Sequence, residues 1–558
     1  MKETDLFKVL QRLNHGSQEA VQSGAALSDL DIYLHVQRPV EGIIMNKMDE
    51  INAAGGGLLL LVGSAGDGKS HLISQLKASG RFDDFVYLND GTESCSPQKG
   101  INAVSTLKTQ LHEFFDASIG DTTGKVLLAI NLGKLLDLTE DPEVKEGFSK
   151  LCNISEKIAD GDLKYESEET NKIKIVSFAN MQPYELLVDN ESDYPVDSMF
   201  MKGILQRLTL KSKSNPFYKA YCNSIPKEGE DFDPIVFNYQ FLLLNTVQDA
   251  IVKLVIESVV RYNQTVTPRE FLDFIYSILV YSNIQNYKER TDFFDALLPS
   301  LLFGKTSNKI QKSVAQLDPV KVSSVIHDDK LSNLYSAFDY DDSFLDQERL
   351  GSELANSFGK ALSRFYKNKN KDKVKLTTLI FRMNHLLDYH SESNVYITFL
   401  HQLKGFYSLD PDTFQEISDL VRYAIPRHYG SYYDKDGFIP LNIQGSKYKL
   451  FAKLDLDNPD FNPEFDPQKP YVFDPAITMV WNFKKPVLLR ISYSLFEHLI
   501  ALKQGKLSTT YEGEQNLDFS NFIRTISKFS DAEKEVKIID SDNNVHTFAF
   551  KWNKLQLN

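Results

Sequence analysis

The chain has 558 residues, of which 42% are hydrophobic and 25% charged, and its net charge is −14. This length predicts two to four domains with buried cores. The negative charge repels nucleic acid, so any contact with DNA must be local or supplied by a partner. Three widely spaced cysteines, no signal-peptide core and no apolar run of about 18 residues predict a cytoplasmic protein without a membrane span.

The first 57 residues have the pattern of helices. Pro39 suits the first turn of a helix, because its fixed φ is compatible with that position and it has no N–H to leave unpaired. Behind it an apolar face recurs at helical spacing, at Val40, Ile43, Ile44, Met48 and Ile51. Three glycines at 55–57 then end the helix. We expect an N-terminal helical segment over residues 1–57.

Strands and helices alternate from residue 58 to about residue 185, which predicts a doubly wound parallel sheet. The predicted strands are Leu58–Val62, Phe85–Leu88, Val126–Asn131 and Ile173–Asn180. In such a sheet, ligands lie at the carboxyl ends of the strands. Residues that follow these strands are therefore the first candidates for a functional site.

A glycine-rich motif follows the first of these strands. It reads G-x-x-x-x-G-K-S and consists of Gly63, Ser64, Ala65, Gly66, Asp67, Gly68, Lys69 and Ser70. The preceding strand is wholly apolar, and the residues from His71 to Lys77 have helical periodicity. A strand, a glycine loop and a helix in this order predict a phosphate-binding loop. The alternative is a glycine-rich turn that binds nothing.

The residue types in the motif suit nucleotide binding. The glycines allow unusual φ values, which turn successive N–H groups toward phosphate oxygens, and the start of the following helix, with His71, adds to this field. Lys69 is expected to reach the β- and γ-phosphates, and the Ser70 hydroxyl to bind Mg²⁺. The motif therefore predicts ATP and Mg²⁺ as cofactors, on an α/β P-loop NTPase core with an AAA+/STAND-like parallel sheet over residues 58–245.

The acid that a hydrolytic site needs is not evident. The best strand for it ends in Asn131, whose amide can hold water or metal but cannot carry a negative charge or accept a proton. Asp90, after the second strand, is the substitute candidate for both the catalytic acid and a Mg²⁺ ligand. Asp137 and Glu140 are more distant candidates. The alternative is that Asp90 and Gly91 only form a turn.

Two further polar residues are candidates for sensing the γ-phosphate. Asn180 ends the fourth predicted strand, where ATPases of the AAA+ type use a polar residue for this purpose. Arg269 opens a helix whose start, Thr267-Pro268-Arg269-Glu270, has the residues of a capping box. This helix would belong to a lid. A strand-ending asparagine and a surface arginine are the alternatives.

The remainder of the chain changes character twice. Residues 246–438 are mainly helical and are expected to form the lid or middle domain. Residues 439–558 are predicted to form a small α+β domain with a late hairpin, Val536–Asp540 with His546–Phe550. Basic, aromatic-rich stretches around Arg422–Tyr433 and Lys447–Lys453 could contact nucleic acid or could be solvent-exposed faces.

Several segments together resemble the DptF (DndF) family, the ATPase-like subunit of DNA phosphorothioation-dependent restriction systems. Only the glycine motif is a specific sequence motif. The other segments match more loosely, in residue character and in their order along most of the chain. The matching segments are Tyr33–Val36, Pro39–Glu41, Gly63–Ser70, Leu88–Ser94 with Ser96-Pro97, Ala129–Leu135, Leu298–Phe303 and Leu317–Pro319. The strand ending in Asn131 resembles the family's own form of that strand.

The resemblance implies a role in bacterial defence. In such systems one set of proteins replaces a backbone oxygen of host DNA with sulfur, and the F, G and H subunits attack DNA that lacks this mark. The resemblance implies DptG-like and DptH-like partners, with DNA reached through the complex. A homo-oligomer is a further possibility. The alternative function is a STAND/AAA+-like nucleotide switch that signals or assembles partners without processing DNA, which the missing acid at Asn131 favours.

Overall fold

The computed structural model describes most of the chain. The described residues are 4–19, 29–64, 67–88, 103–160, 163–178, 181–189, 192, 194–227, 232–281, 293–304, 306–322, 325–336, 350–367, 373–428, 438–440, 448–453, 456–506, 516–529, 535–542, 544–551 and 554–557. They divide into two compact units. The first comprises Met1–Glu185, Ser198–Val259 and Gln264–His390, and the second Leu186–Asp197, Val260–Asn263 and Ser391–Asn558. The four predicted domains stay a prediction.

The helices and strands are numbered in chain order. The helices are α1 Asp5–Glu19, α2 Asp29–Leu34, α3 Pro39–Ala53, α4 Lys69–Ala78, α5 Ala103–Leu111, α6 Leu132–Thr139, α7 Pro142–Gly147, α8 Ser149–Ala159, α9 Met199–Thr209, α10 Pro216–Ser224, α11 Pro234–Leu242, α12 Asn245–Tyr262, α13 Pro268–Leu279, α14 Leu298–Leu302, α15 Lys309–Val314, α16 Val325–Ser336, α17 Ser352–Lys367, α18 Lys373–Leu387, α19 Asn394–Tyr407, α20 Pro411–His428, α21 Tyr493–Lys503 and α22 Leu517–Ser527. The strands are β1 Gly57–Val62, β2 Val86–Leu88, β3 Lys125–Ile130, β4 Ile173–Ser177, β5 Glu185–Leu186, β6 Val196–Asp197, β7 Phe438–Pro440, β8 Lys449–Lys453, β9 Ile477–Asn482, β10 Pro486–Ile491, β11 Glu535–Ile539, β12 Val545–Lys551 and β13 Lys554–Leu557.

A four-stranded parallel sheet lies at the centre of the first unit, in the order β2-β3-β1-β4. Strand β1 pairs with β3 on one side, from Gly57 opposite Lys125 to Val62 opposite Ile130, and with β4 on the other. All six residues of β1 are buried. A wholly apolar strand is expected where neighbours cover both edges and helices cover both faces. The predicted α/β class with a parallel sheet is therefore confirmed.

Helices cover both faces of this sheet. On one face, Leu59 and Leu61 of β1 pack with the apolar sides of α3 and α4. On the other face, Leu58, Leu60 and Val62 pack with α5, α6, α7 and α8. Alternate residues of one strand thus enter two separate cores, as the two-residue period of a strand requires. This arrangement fixes the direction of β1 and hence the place where the chain leaves the sheet after Val62.

Several predicted boundaries are confirmed. Helix α3 begins at Pro39 and buries Val40, Ile44, Met48 and Ile51, as its apolar pattern predicts. At the start of α13, the Thr267 hydroxyl accepts a hydrogen bond from the Glu270 N–H, and the Glu270 carboxylate accepts one from the Thr267 N–H. This reciprocal pair is the predicted capping box. Strand β4 ends at Ser177, so it is shorter than the predicted span to Asn180.

The second unit contains the strands of the carboxyl-terminal region. Strands β7, β8, β11, β12 and β13 form an antiparallel sheet in the order β13-β12-β11-β8-β7. The predicted late hairpin is present, because β11 pairs with β12 from Glu535 opposite Ala549 to Ile539 opposite Val545. Strands β9 and β10 form a separate antiparallel pair. Within the described ranges, no helix combines the length and apolar character that crossing a membrane requires.

The pH dependence of stability provides a test of the helical part of the first unit. Burial, with a smaller contribution from His327, lowers the pKa of His385 from 6.5 to about 4. Between pH 6.5 and pH 4, His385 is therefore protonated in the unfolded chain but neutral in the folded chain. The free energy of unfolding decreases as the pH falls through this range. We expect His385 alone to contribute a loss on the order of 2 kcal/mol between pH 7 and pH 5, measured by urea unfolding.

Two variants separate this contribution from other titrating groups. His385→Gln should reduce the slope of the stability profile between pH 7 and pH 5, while His428, whose pKa burial also lowers to about 4, keeps its own contribution. His401→Gln is the matched control, because His401 is exposed and is not among the groups that act on His385, so its loss should leave the profile unchanged. An unaltered slope in the His385 variant would contradict the assignment.

Candidate functional site

The residues Gly63–Ser70, here called the glycine loop, lie at the carboxyl edge of the parallel sheet. The Gly63 N–H donates to the Ile130 carbonyl at 3.2 Å, and the Phe178 N–H donates to the Val62 carbonyl at 2.8 Å. The loop therefore leaves the sheet between the ends of β3 and β4. Ala65 and Gly66 lie outside the described residues. The predicted order of strand, glycine loop and helix is present.

Two positions of the glycine loop require glycine. A Cβ at Gly63 would collide with the Asp67 carboxylate and would lie 2.9 Å from the Phe178 Cβ. Gly68 is the N-cap of α4 and has a φ of 84°, in the left-handed region that favours glycine. A Cβ there would also lie 3.0 Å from Nη2 of Arg38. The tight fold of the loop thus explains both glycines.

The described polar groups of the glycine loop contact each other. The Asp67 carboxylate accepts a hydrogen bond from the Ser64 N–H at 2.5 Å, and Lys69 Nζ donates to the Ser64 carbonyl at 2.6 Å. Burial raises the pKa of the Asp67 carboxyl, while the positive charge of Lys69 opposes the rise. The Lys69 ammonium is therefore held over the loop, where an anionic ligand would compete with a carbonyl oxygen for it.

Ser70 and His71 lie in the first turn of α4, as the motif predicts. Nε2 of His71 lies 3.2 Å from Nδ1 of His35, and Nε2 of His35 lies 3.2 Å from the Glu41 carboxylate. Burial and the neighbouring His35 lower the pKa of His71. His71 is therefore neutral near pH 7, and its side chain belongs to a chain of hydrogen-bonding groups that leads to α3.

Arg38 is a contact residue of the glycine loop that sequence reasoning missed. Its Nη1 donates to the Asp67 carbonyl at 2.9 Å. The guanidinium carbon lies 5.9 Å from the ring centres of both Phe178 and Phe200. Burial lowers the pKa of Arg38, and Glu41 and Asp67 oppose this effect. The sequence offered only one signal, an arginine directly before the helix-starting Pro39.

The structure describes two of the four proposed catalytic residues, Asn131 and Arg269. Asn131 follows β3, directly beside the glycine loop, and its Oδ1 accepts a hydrogen bond from the Lys134 N–H at 2.8 Å. Its amide is thus the N-cap of α6. Asp90 and Asn180 lie outside the described residues; strand β2, which precedes Asp90, ends at Leu88 and is separated from β1 by β3.

Arg269, the fourth candidate, is the second residue of α13. The charge of the adjacent Glu270 contributes to the raised pKa of Asp67. The start of α13 is therefore within electrostatic reach of the glycine loop. Arg269 also acts on Asp273, whose pKa burial raises to about 6 against the opposing charge of the arginine. The position of Arg269 is compatible with the predicted sensing role, which stays a prediction.

The more distant acids lie on α6 and its end. Asp137 pairs with Lys134 at 3.1 Å, and both side chains are exposed. Glu140 is the C-cap of the same helix. Asp137 is thus engaged in an ion pair within α6, and Glu140 ends that helix.

The basic stretch on α20, in the second unit, is partly engaged within the protein. Arg422 donates to the Leu456 carbonyl at 3.0 Å and to the Asn458 side chain at 2.8 Å. The Arg427 guanidinium lies 4.3 Å from the centre of the Tyr423 ring. These contacts explain the two arginines without nucleic acid. In the second stretch, Lys449 is exposed whereas Phe451 is buried.

The described side chains provide few ligands for a metal. No group of three or more His, Cys, Asp or Glu residues with suitable spacing occurs among them. This does not conflict with Mg²⁺, which proteins often hold through one or two side chains together with substrate phosphates. The Ser70 hydroxyl, in the first turn after the glycine loop, has the chemistry of such a ligand.

The chain was compared with family models, with curated proteins and with solved structures, and none of them matches it. The site is therefore defined by its own residues. They form a glycine loop at the edge of a parallel sheet, with a lysine held over it and a helix beginning directly behind it.

The role of Asn131 as a helix cap gives a direct test. Asn131→Ala removes the acceptor for the Lys134 N–H and should lower the free energy of unfolding by about 1 kcal/mol. Asn131→Asp keeps an acceptor of the same shape and should retain stability. Urea unfolding of the three proteins measures both effects. Equal losses in the two variants would contradict the cap as the main role of this side chain in the fold.

Proposed function

We propose that this chain binds ATP with Mg²⁺ at the glycine loop. We further propose that it is the ATP-binding, ATP-hydrolysing subunit of a bacterial DNA phosphorothioation-dependent restriction complex, which acts on DNA that lacks the mark. One observation carries the binding proposal: the central buried strand β1 leads through the glycine loop into α4, with Lys69 over the loop. The core is accordingly proposed to be a P-loop NTPase of the AAA+/STAND type.

The electrostatics of the loop favour an anion. Helix α4 begins at Lys69, so its N-terminus lies directly behind the glycine loop. The helix dipole places positive potential at the same end. Lys69 adds a full positive charge. A nucleotide polyphosphate is the common ligand with enough negative charge to match the helix dipole and Lys69 together.

Each residue has a defined role in this proposal. Lys69 would exchange the Ser64 carbonyl for phosphate oxygens, and the Ser70 hydroxyl would hold Mg²⁺. The glycines at 63 and 68 let the backbone approach the phosphates closely. Bound Mg-ATP would supply the phosphoanhydride whose binding or cleavage drives the complex. Asp90 is the proposed acid, and Asn180 and Arg269 are the proposed phosphate sensors.

The restriction role rests on the resemblance to the DptF family, with DptG-like and DptH-like partners. The net charge of −14 supports DNA contact through those partners, since the chain as a whole repels a polyanion. Arg422 and Arg427 are engaged in contacts within the protein, which also favours DNA contact through the partners.

The second candidate function is a nucleotide switch that assembles or signals without processing DNA. The observation that favours it is the amide of Asn131, which lies beside the glycine loop and is engaged as a helix cap. An amide cannot accept a proton from water. A site with this residue in place of an acid would bind nucleotide and turn it over slowly, which suits a switch.

The binding proposal predicts ligand-dependent stability. Mg-ATP at 100 times its Kd should stabilise the folded chain by about 2.7 kcal/mol, observed as a higher unfolding temperature. Lys69→Ala should abolish this shift and leave the unliganded protein folded, because the hydrogen bond of this side chain to the Ser64 carbonyl is exposed and lies within the loop. Lys77→Ala, on the same helix, is the matched control and should retain the shift. The absence of any shift in the wild type would refute nucleotide binding.

Turnover separates the two functions. ATP hydrolysis by the complex with DptG-like and DptH-like subunits should rise when unmarked DNA is added. Asp90→Asn should abolish hydrolysis and leave nucleotide binding intact, whereas Asn131→Asp should raise the rate if Asn131 limits it. The restriction role would be rejected, and the switch favoured, if unmarked DNA does not change the rate of hydrolysis and cells that carry the Lys69→Ala variant still restrict DNA.

A further inference from the structure

We infer that Arg38 is a positioning residue of the nucleotide site: its guanidinium sets the orientation of the Asp67–Gly68 peptide, which aims the Gly68 N–H into the glycine loop. The inference rests on the proposed nucleotide binding and deepens it. Arg38 lies outside the glycine motif, 29 residues before Asp67 in the chain.

Arg38 meets the glycine loop at its backbone. Nη1 donates to the Asp67 carbonyl at 2.9 Å. Nη2 lies 3.0 Å from the point where a Cβ of residue 68 would stand, so the guanidinium packs along the Cα of Gly68. One planar side chain thus contacts two successive residues directly before α4 begins.

The planarity of the peptide bond converts this contact into an orientation. The described chain has no cis peptide bond. In a trans peptide the carbonyl of one residue and the N–H of the next point in opposite directions. The Asp67 carbonyl points at Arg38, and therefore the Gly68 N–H points away from Arg38. A glycine with a φ of 84° has low resistance to peptide rotation, so an external contact is needed to fix this orientation.

Arg38 is itself held from several sides. Phe178, which follows β4, and Phe200, on α9, both lie against the guanidinium. Its backbone N–H donates to the Glu41 carboxylate at 3.0 Å, at the start of α3. The side chain therefore transmits the positions of α3, α9 and the end of β4 to the loop. A planar fork suits this place better than a lysine, because its two nitrogens reach two residues at once.

The test compares nucleotides that do and do not reach the loop. ADP carries a β-phosphate for the loop to hold, whereas AMP does not. Arg38→Met should weaken the affinity for Mg-ADP about tenfold or more and leave the affinity for AMP within about twofold of the wild type. Arg38→Lys keeps one donor and the charge, and should weaken Mg-ADP binding less than Arg38→Met. Calorimetric titration of the full chain measures all of these affinities.

The controls distinguish a positioning role from a structural one. Arg207 lies 5.9 Å from the centre of the Tyr33 ring, the same distance as Arg38 from its rings, and Arg207→Met should retain both affinities. A parallel loss of ADP and AMP binding in Arg38→Met, or wild-type ADP affinity, would overturn the inference. If that variant does not fold, wild-type ADP affinity in Arg38→Lys overturns it. A wild-type chain that binds neither nucleotide refutes the proposed function itself.

Discussion

The pairing of β1 on both edges is the constraint on which the first unit depends. Its six residues are all buried, and they send side chains alternately into two separate cores. A shift of one residue in this register would exchange the two sets of side chains and place Gly63 at a different level of the sheet. Because β3 and β4 hold β1 in place, the chain must leave the sheet at Val62, and the glycine loop must begin there.

The glycine loop balances charge within a small volume. The Asp67 carboxylate is half-buried near the place proposed for phosphates, which by itself would oppose an anionic ligand. Lys69 and Arg38 offset it, and both favour the ionised form of this carboxyl. The carboxylate also accepts the Ser64 N–H, so it orders one side of the loop while Arg38 orders the other. The conformation of the loop therefore depends on Asp67, within the loop, and on Arg38, which is distant in the sequence.

The sequence predicted what depends on short-range patterns. The apolar run of β1, the glycine motif, the start of α3 at Pro39 and the capping box at Thr267 all involve residues close together in the chain. Arg38 with Asp67, and His35 with His71, could not be predicted, because they meet only through the packing of α3 against the sheet. The role of Asn131 was open for a related reason. A strand-ending asparagine can face a ligand or cap a helix. The hydrogen bond from the Lys134 N–H shows that Asn131 caps α6 in the fold.

Hydrogen exchange tests, at the level of residues, whether a nucleotide occupies the glycine loop. The full chain is compared with and without Mg²⁺ and a non-hydrolysable ATP analogue, and peptides that cover 58–78 are followed by mass spectrometry. We expect slower exchange in this segment when the analogue is bound, since the N–H groups of the loop and of the first turn of α4 would be bonded to phosphate. Binding that leaves exchange in this segment unchanged, or that slows exchange only in other parts of the chain, would show that the nucleotide does not occupy the glycine loop.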